Sequence, residues 1–205
     1  AILEIDPNGR VACETLTTTN LVIISGEITT KKHPDYEQIV RDTIRKIGYT
    51  DETSNFCADS VKVEIYIDEQ SPEIAQGVNE FDDHEQGAGD QGLMFGFACK
   101  ETDELMPLPI QLSQRLTERL AEVRKNGKLP WLKPDGKSQV TVNYNGFTPI
   151  SISKVVIATQ HEDMLKVHGS EKNEHIFITN EIVEHVIIPV LDSYGYDYNK
   201  EFIVN

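Results

Sequence analysis

The residues with the types and spacing to do chemistry fall in four places. Gly87-Ala88-Gly89-Asp90-Gln91-Gly92 fits the pattern G-x-G-x-x-G. A dinucleotide-binding turn of that pattern follows an apolar strand and opens a helix. Here it follows Asp82-Asp83-His84-Glu85-Gln86 and leads into LMFGFA, and the acidic approach would repel a pyrophosphate, so that reading is set aside. Gly136-Lys137-Ser138 resembles the end of a phosphate-binding P-loop, but Trp131 stands where that loop requires its first glycine. Lys137 just before a strand leaves two readings open, a cation meeting a phosphate on a turn or a solvated loop lysine. His161, His168 and His175 recur every seven residues. A metal pair on a helix wants i, i+4 spacing, so solvent-exposed histidines are expected instead. Glu14 and Glu27 each sit in a mainly apolar, strand-like run. A buried carboxylate needs a cation or donors, which would mark a ligand or ion contact; an exposed strand face is the alternative.

The elements that must position these residues follow one order twice. Val11–Leu16 and Leu21–Thr29 read as strands, rich in Val, Ile and Thr. Asp35–Ile47 reads as a helix with Pro34 at its start and Gly48 at its stop, and Tyr36, Ile39, Val40, Thr43, Ile44 and Ile47 form its inward stripe. Val61–Ile67 alternates Val63, Ile65 and Ile67 against Lys62, Glu64 and Tyr66, a strand with one buried face. The second passage runs strand (Gln139–Tyr144), strand (Ile150–Thr159), helix (near Asn180–Leu191) and strand (near Phe202–Val204). A strand at Leu93–Ala98 and a helix at Ile110–Lys125, stopped by Asn126-Gly127, precede it and complete a β-α-β-β-α-β unit. AILEI at the start of the chain reads as the last turn of a helix, so the first unit is expected to lack its opening strand and most of its first helix. The polar, acidic stretch Asp68–Gln91 is expected to be a long connection.

Charge and composition narrow the classes of function. The 205 residues carry 34 acidic against 19 basic side chains, a net charge of −15, which argues against nucleic acid as a partner. No apolar run approaches a membrane span, so neither a signal peptide nor a membrane partner is expected. Cys13, Cys57 and Cys99 are widely spaced with no C-x-x-C pair, and free, buried thiols in a reducing cytoplasm are expected.

Several stretches together carry a family resemblance: RVACET at 10–15, SGEIT at 25–29, IGY at 47–49, QSPEIAQGV at 70–78, GAGDQGLMFGFA at 87–98, AEVRKNGKLPWLKPDGKSQVTV at 121–142 and TQH at 159–161. The chain resembles S-adenosylmethionine synthetase (methionine adenosyltransferase) over its entire length. The resemblance implies an α/β (α+β) fold of tandem β-α-β-β-α-β-like units, the first truncated at its N-terminus and the third absent. Implied boundaries are a truncated N-terminal domain at 1–72, a mobile loop or linker at 73–86 and a central domain at 87–205.

The implied reaction is attack of the methionine sulfur on C5′ of ATP, with the expelled triphosphate then cut to diphosphate and phosphate. By resemblance Lys137 is a catalytic cation on the polyphosphate, with Asp135, Gly136 and Asp90 at the ATP site. Glu27, Gln70 and Asp90 would meet methionine, Glu27 through the ammonium. Gln70, Ser71, Pro72, Glu73, Ile74, Ala75, Gln76 and Gly77 would belong to a loop gating the site. Glu14 would bind potassium, while most ligands of the second cofactor, Mg²⁺, would lie outside these residues. The implied partners are ATP, L-methionine and further copies of the chain, as a homodimer or dimer of dimers with sites between subunits. Thr17-Thr18-Thr19-Asn20 departs from the K-T-G common in the family. Taken alone, the chain is expected to be catalytically incomplete; the alternative is a truncated, non-catalytic paralogue serving as a nucleotide-binding or dimerisation module.

Overall fold

The computed structural model describes residues 1–78, 85, 87–88 and 91–205. It divides into two units, Ala1–Phe95 and Gly96–Asn205, each with its own sheet. The mixed α/β class is the one expected. Among the described residues no helix is long and apolar enough to cross a membrane.

In the first unit a short helix, α1 (Ile2–Ile5), precedes the hairpin of β1 (Arg10–Thr18) and β2 (Leu21–Thr29). Asn20 makes the turn at φ +54°, a conformation Asn tolerates better than most residues. Helix α2 (Tyr36–Ile47) then carries the chain over to β3 (Lys62–Asp68), which runs parallel to β2. Asp35 caps α2 by accepting the Gln38 N–H at 2.9 Å, and Gly48 closes it at φ +118° with its N–H on the Ile44 carbonyl. Val22, Ile24, Ile44, Ala58 and Val61 form the core between sheet and helix. One helix covers only part of this sheet. Ile39 and Ile47 of the expected inward stripe are therefore exposed, and so is Ile65 at 40%, although Ile65 pairs with buried Ile24.

The second unit repeats the order on a larger scale. Helix α4 (Leu108–Lys125) packs Leu108, Leu112, Leu116, Leu120 and Val123 against β4 (Leu132–Asn145) and β5 (Thr148–His161). Past β5 come α5 (Leu165–His168) and α6 (Glu171–Ile182), then a π-helical turn at Val183–Ile187, then α7 (Ile188–Tyr194). β6 (Asp197–Tyr198) and β7 (Phe202–Val204) close the unit, both parallel to β5. In each sheet, then, a central strand has an antiparallel neighbour before it in sequence and a parallel one after a helical crossover.

Several expectations need correction. Leu93–Ala98 is not a strand: the segment pairs with nothing in either sheet, and Leu93, Met94, Phe95 and Phe97 are 82, 91, 92 and 77% exposed. Gly96 interrupts it, and glycine weakens a strand that has no ladder to join. The connection after β3 is not structureless either, because α3 spans Pro72–Val78, where Pro72 and Glu73 suit a first helical turn. The helix expected near Asn180–Leu191 begins nine residues earlier, at Glu171, since Ser170 accepts the Asn173 N–H and starts it. Of the three cysteines only Cys57 is buried; Cys13 is exposed on β1 and Cys99 is intermediate. His161 and His168 are half-buried in an aromatic group, His168 stacked on Phe177 at 4.4 Å and His161 edge-on to Trp131 at 6.4 Å, while His175 is exposed.

The π turn has an identifiable cause and partner. Pro189 has no N–H, so the His185 carbonyl loses its regular helical donor. Arg119 of α4 supplies one from Nε at 3.0 Å, tying the two helices together. We expect Arg119→Ala to lower stability by about 1–2 kcal/mol in urea titration. The loss should shrink in a Pro189→Ala background, which restores a backbone donor to that carbonyl.

Glu101 fastens the other end of α4. Its carboxylate accepts the Leu108 N–H at 2.9 Å and the Tyr144 hydroxyl at 2.5 Å, linking the helix start to the β4–β5 hairpin. The Leu108 N–H, then Tyr144, holds the Glu101 carboxyl below its ordinary range. A depressed carboxyl stabilises the fold above its unfolded pKa, and that contribution disappears as pH falls through the folded value. Glu101→Gln should therefore be less stable than the parent at neutral pH. Thermal melts as a function of pH should show the gap closing below about pH 4.

Candidate functional site

Successive strand residues point to opposite faces, and paired residues share one. Val22, Ile24 and Ile28 of β2 point into the core. The pairings Arg10–Thr29, Ala12–Glu27, Glu14–Ser25 and Glu27–Asp68 therefore fall on the other face of the first sheet. Two carboxylates, Glu27 and Asp68, stand directly opposite each other there. At the same end Arg10 donates from Nε to Gln70 Oε1 at 2.9 Å, and the Gln70 N–H reaches Thr29 Oγ1 at 3.4 Å. Farther along, Lys62 Nζ lies 2.5 Å from Glu64, and the Tyr66 hydroxyl donates to Glu64 at 3.1 Å. The hydrogen bond from Lys62, then that from Tyr66, holds the Glu64 carboxyl below its ordinary range, and the same bonds raise Lys62 and Tyr66.

Glu14 and Glu27 are both exposed, so the argument from buried carboxylates does not hold and the strand-face alternative describes them. The reason is that both sit on the uncovered face. Gly26, beside Glu27, is the position with no freedom. Its φ is +141°, and a Cβ there would overlap the Ala12 carbonyl oxygen. The close approach of β1 and β2 at this point, and with it the placement of Glu27, requires glycine.

In the second unit Asp135, Gly136 and Lys137 lie within β4, not on a turn before it. The ladder is irregular between Leu132 and Gly136 and becomes regular at Gly136–Thr159 and Lys137–Ala158. Gly136 faces α4, where a Cβ would stand 3.3 Å from Leu120 Cδ1. Ser138, two residues on, donates to the Ser113 carbonyl of the same helix at 2.6 Å. Asp135 and Lys137 are turned the opposite way and are exposed. A cation and a carboxylate thus stand two residues apart on the solvent face of a strand held by α4.

Of the remaining residues singled out in the sequence, Gln70 and Ser71 connect β3 to α3, and Pro72, Glu73, Ile74, Ala75, Gln76 and Gly77 belong to α3 itself. Asp90 lies outside the described residues. Sequence reasoning passed over Arg10, Thr29 and Asp68. The hairpin register puts Arg10 and Thr29 on the Glu27 face once the turn at Asn20 is known, and the parallel pairing of β2 with β3 adds Asp68.

Residues 1–72 match the family model described as S-adenosylmethionine synthetase, N-terminal domain, and residues 85–205 match that for the central domain of the same enzyme. The chain belongs to the S-adenosylmethionine synthetase family. That family is one of transferases in S-adenosylmethionine biosynthesis, and it uses metal ions. Among the described residues of this member, no three His, Cys, Asp or Glu side chains converge into a metal centre. Glu27 with Asp68, and Glu14 with Ser25, are pairs, whereas oxygen-bound cations take about six or more ligands. The described residues do not make up a metal site by themselves.

Replacing Gly26 tests how tightly this part of the site is built. Gly26→Ala should destabilise the protein by on the order of 3 kcal/mol in urea denaturation. A loss well below that would mean β1 and β2 separate there at little cost.

Proposed function

We propose that this chain supplies part of the substrate site of a methionine adenosyltransferase, forming S-adenosylmethionine from ATP and L-methionine with release of phosphate and diphosphate. The observation that carries the reading is the pair of family matches in order along the chain, at 1–72 and 85–205. The residue roles follow the motifs. Lys137 places its cation on the polyphosphate, and Asp135 and Gly136 line the ATP site with Asp90. Glu27 takes the methionine ammonium, Gln70 and Asp90 contact the same substrate, and residues 70–77 open and close the pocket.

These roles suit the chemistry. A thioether is a weak nucleophile and the leaving triphosphate is highly charged. The protein therefore has to align sulfur, C5′ and leaving oxygen, and to neutralise charge as it develops. Exposed groups on rigid strands, such as Lys137 on β4 and Glu27 on β2, can do both once a substrate covers them. Magnesium and potassium are the proposed ions, potassium near Glu14, with most ligands outside these residues. The proposed enzyme is cytoplasmic and works as a homodimer or dimer of dimers. Residues 1–205 alone should form little product.

The test is S-adenosylmethionine formation with ATP, methionine, Mg²⁺ and K⁺, comparing the intact protein, its Lys137→Ala variant and residues 1–205. The intact protein should be active, and the variant should lose on the order of 10²-fold in kcat. An intact protein that binds ATP but forms no product would favour a nucleotide-binding module. Full activity in residues 1–205 would overturn their proposed incompleteness.

A further inference from the structure

We propose that Arg10 is a positioning residue that sets the direction of the Gln70 amide. The proposal rests on the reading of Gln70 as a methionine contact and concerns how that contact is made.

A guanidinium can only donate hydrogen bonds. The 2.9 Å bond from Arg10 Nε therefore has to end on the Gln70 oxygen, which resolves the amide's two-fold ambiguity on chemical grounds. With Oε1 held by Arg10, the Nε2 hydrogens are the end of the amide left to meet a ligand. Gln70 then presents a donor, which fits the carboxylate of an amino acid and not its ammonium. Glu27, on the same sheet face, presents an acceptor, which fits the ammonium. Fixing the amide one way lets the two residues read opposite ends of a zwitterion.

The scaffold behind Arg10 is suited to this. Arg10 is the first residue of β1 and pairs with Thr29, the last residue of β2. Thr29 Oγ1 accepts the Gln70 backbone N–H at 3.4 Å, so two adjacent strands hold the backbone and the side chain of a residue 41 positions from Thr29 and 60 from Arg10. Gln70 stands just ahead of α3, where the chain leaves the sheet. Without Arg10 its amide is free to turn its oxygen outward and face a carboxylate with like charge.

The experiment measures steady-state kinetics of the intact protein with Arg10→Met, Arg10→Lys, Gln70→Ala and the Arg10→Met/Gln70→Ala pair. Arg10→Met should raise the methionine KM about tenfold, with the ATP KM unchanged within about twofold. Arg10→Lys, which keeps one donor in reach, should recover part of the loss and serves as the control for folding. Added to Gln70→Ala, Arg10→Met should have no further effect on the methionine KM, since the two residues act through one contact. If Gln70→Ala raises the methionine KM while Arg10→Met does not, or the two effects multiply, the positioning role is wrong and the methionine contact stands. If Gln70→Ala itself leaves the methionine KM unchanged, both readings fall.

Discussion

The two-residue period of a β-strand decides which side chains of this protein are available for chemistry. Each sheet packs one face against helix, a single helix in the first unit, so alternate residues along β2 and β4 are committed to a core and the rest are turned outward. Val22, Ile24 and Ile28 go one way, and Ser25 and Glu27 go the other. On β4 Gly136 and Ser138 meet α4, which leaves Asp135 and Lys137 outside. A shift of one residue in either strand would exchange the two sets, burying a charge and exposing the core. The same register therefore sets which side chains are buried and which are exposed.

Register alone does not hold the units together. Side chains from distant segments tie backbone or side-chain groups that the regular elements leave over. Arg119 reaches the carbonyl that Pro189 cannot satisfy, Glu101 caps α4 while holding Tyr144 of the hairpin, and Arg41 donates to the Ala58 carbonyl at 2.7 Å. Arg10 on Gln70 belongs to the same class, with the difference that its target is a residue proposed to contact substrate. An unmet carbonyl or amide in a partly buried place is costly, which gives each of these contacts weight beyond its Coulomb attraction.

The units differ in how much apolar surface their helices cover. In the second, α4 and the α6–α7 run enclose a continuous core from Leu108 to Val204. In the first, α2 supplies the helical side of a smaller core, and Leu3, Val11, Ile39, Ile47 and Ile65 are exposed among the described residues. At Gly26 of that smaller unit the backbones of β1 and β2 approach too closely for any side chain.

Much of this could be read from the residues. Apolar periodicity located β2, α2, β3 and α4 to within a few residues, because each is amphipathic and the two helices end at a cap or glycine that works locally. The motifs around Gly26, Gln70 and Lys137 identified the family for the same reason: a short run of residues carries them. Tertiary structure decided the rest. Whether Leu93–Ala98 joins a sheet depends on a partner strand, which no local pattern contains. Whether Glu14 and Glu27 are buried depends on which face the helices cover, and alternation cannot supply that. The bonds from Arg10 to Gln70 and from Arg119 to His185 span sixty-odd residues, and only the fold makes such groups neighbours.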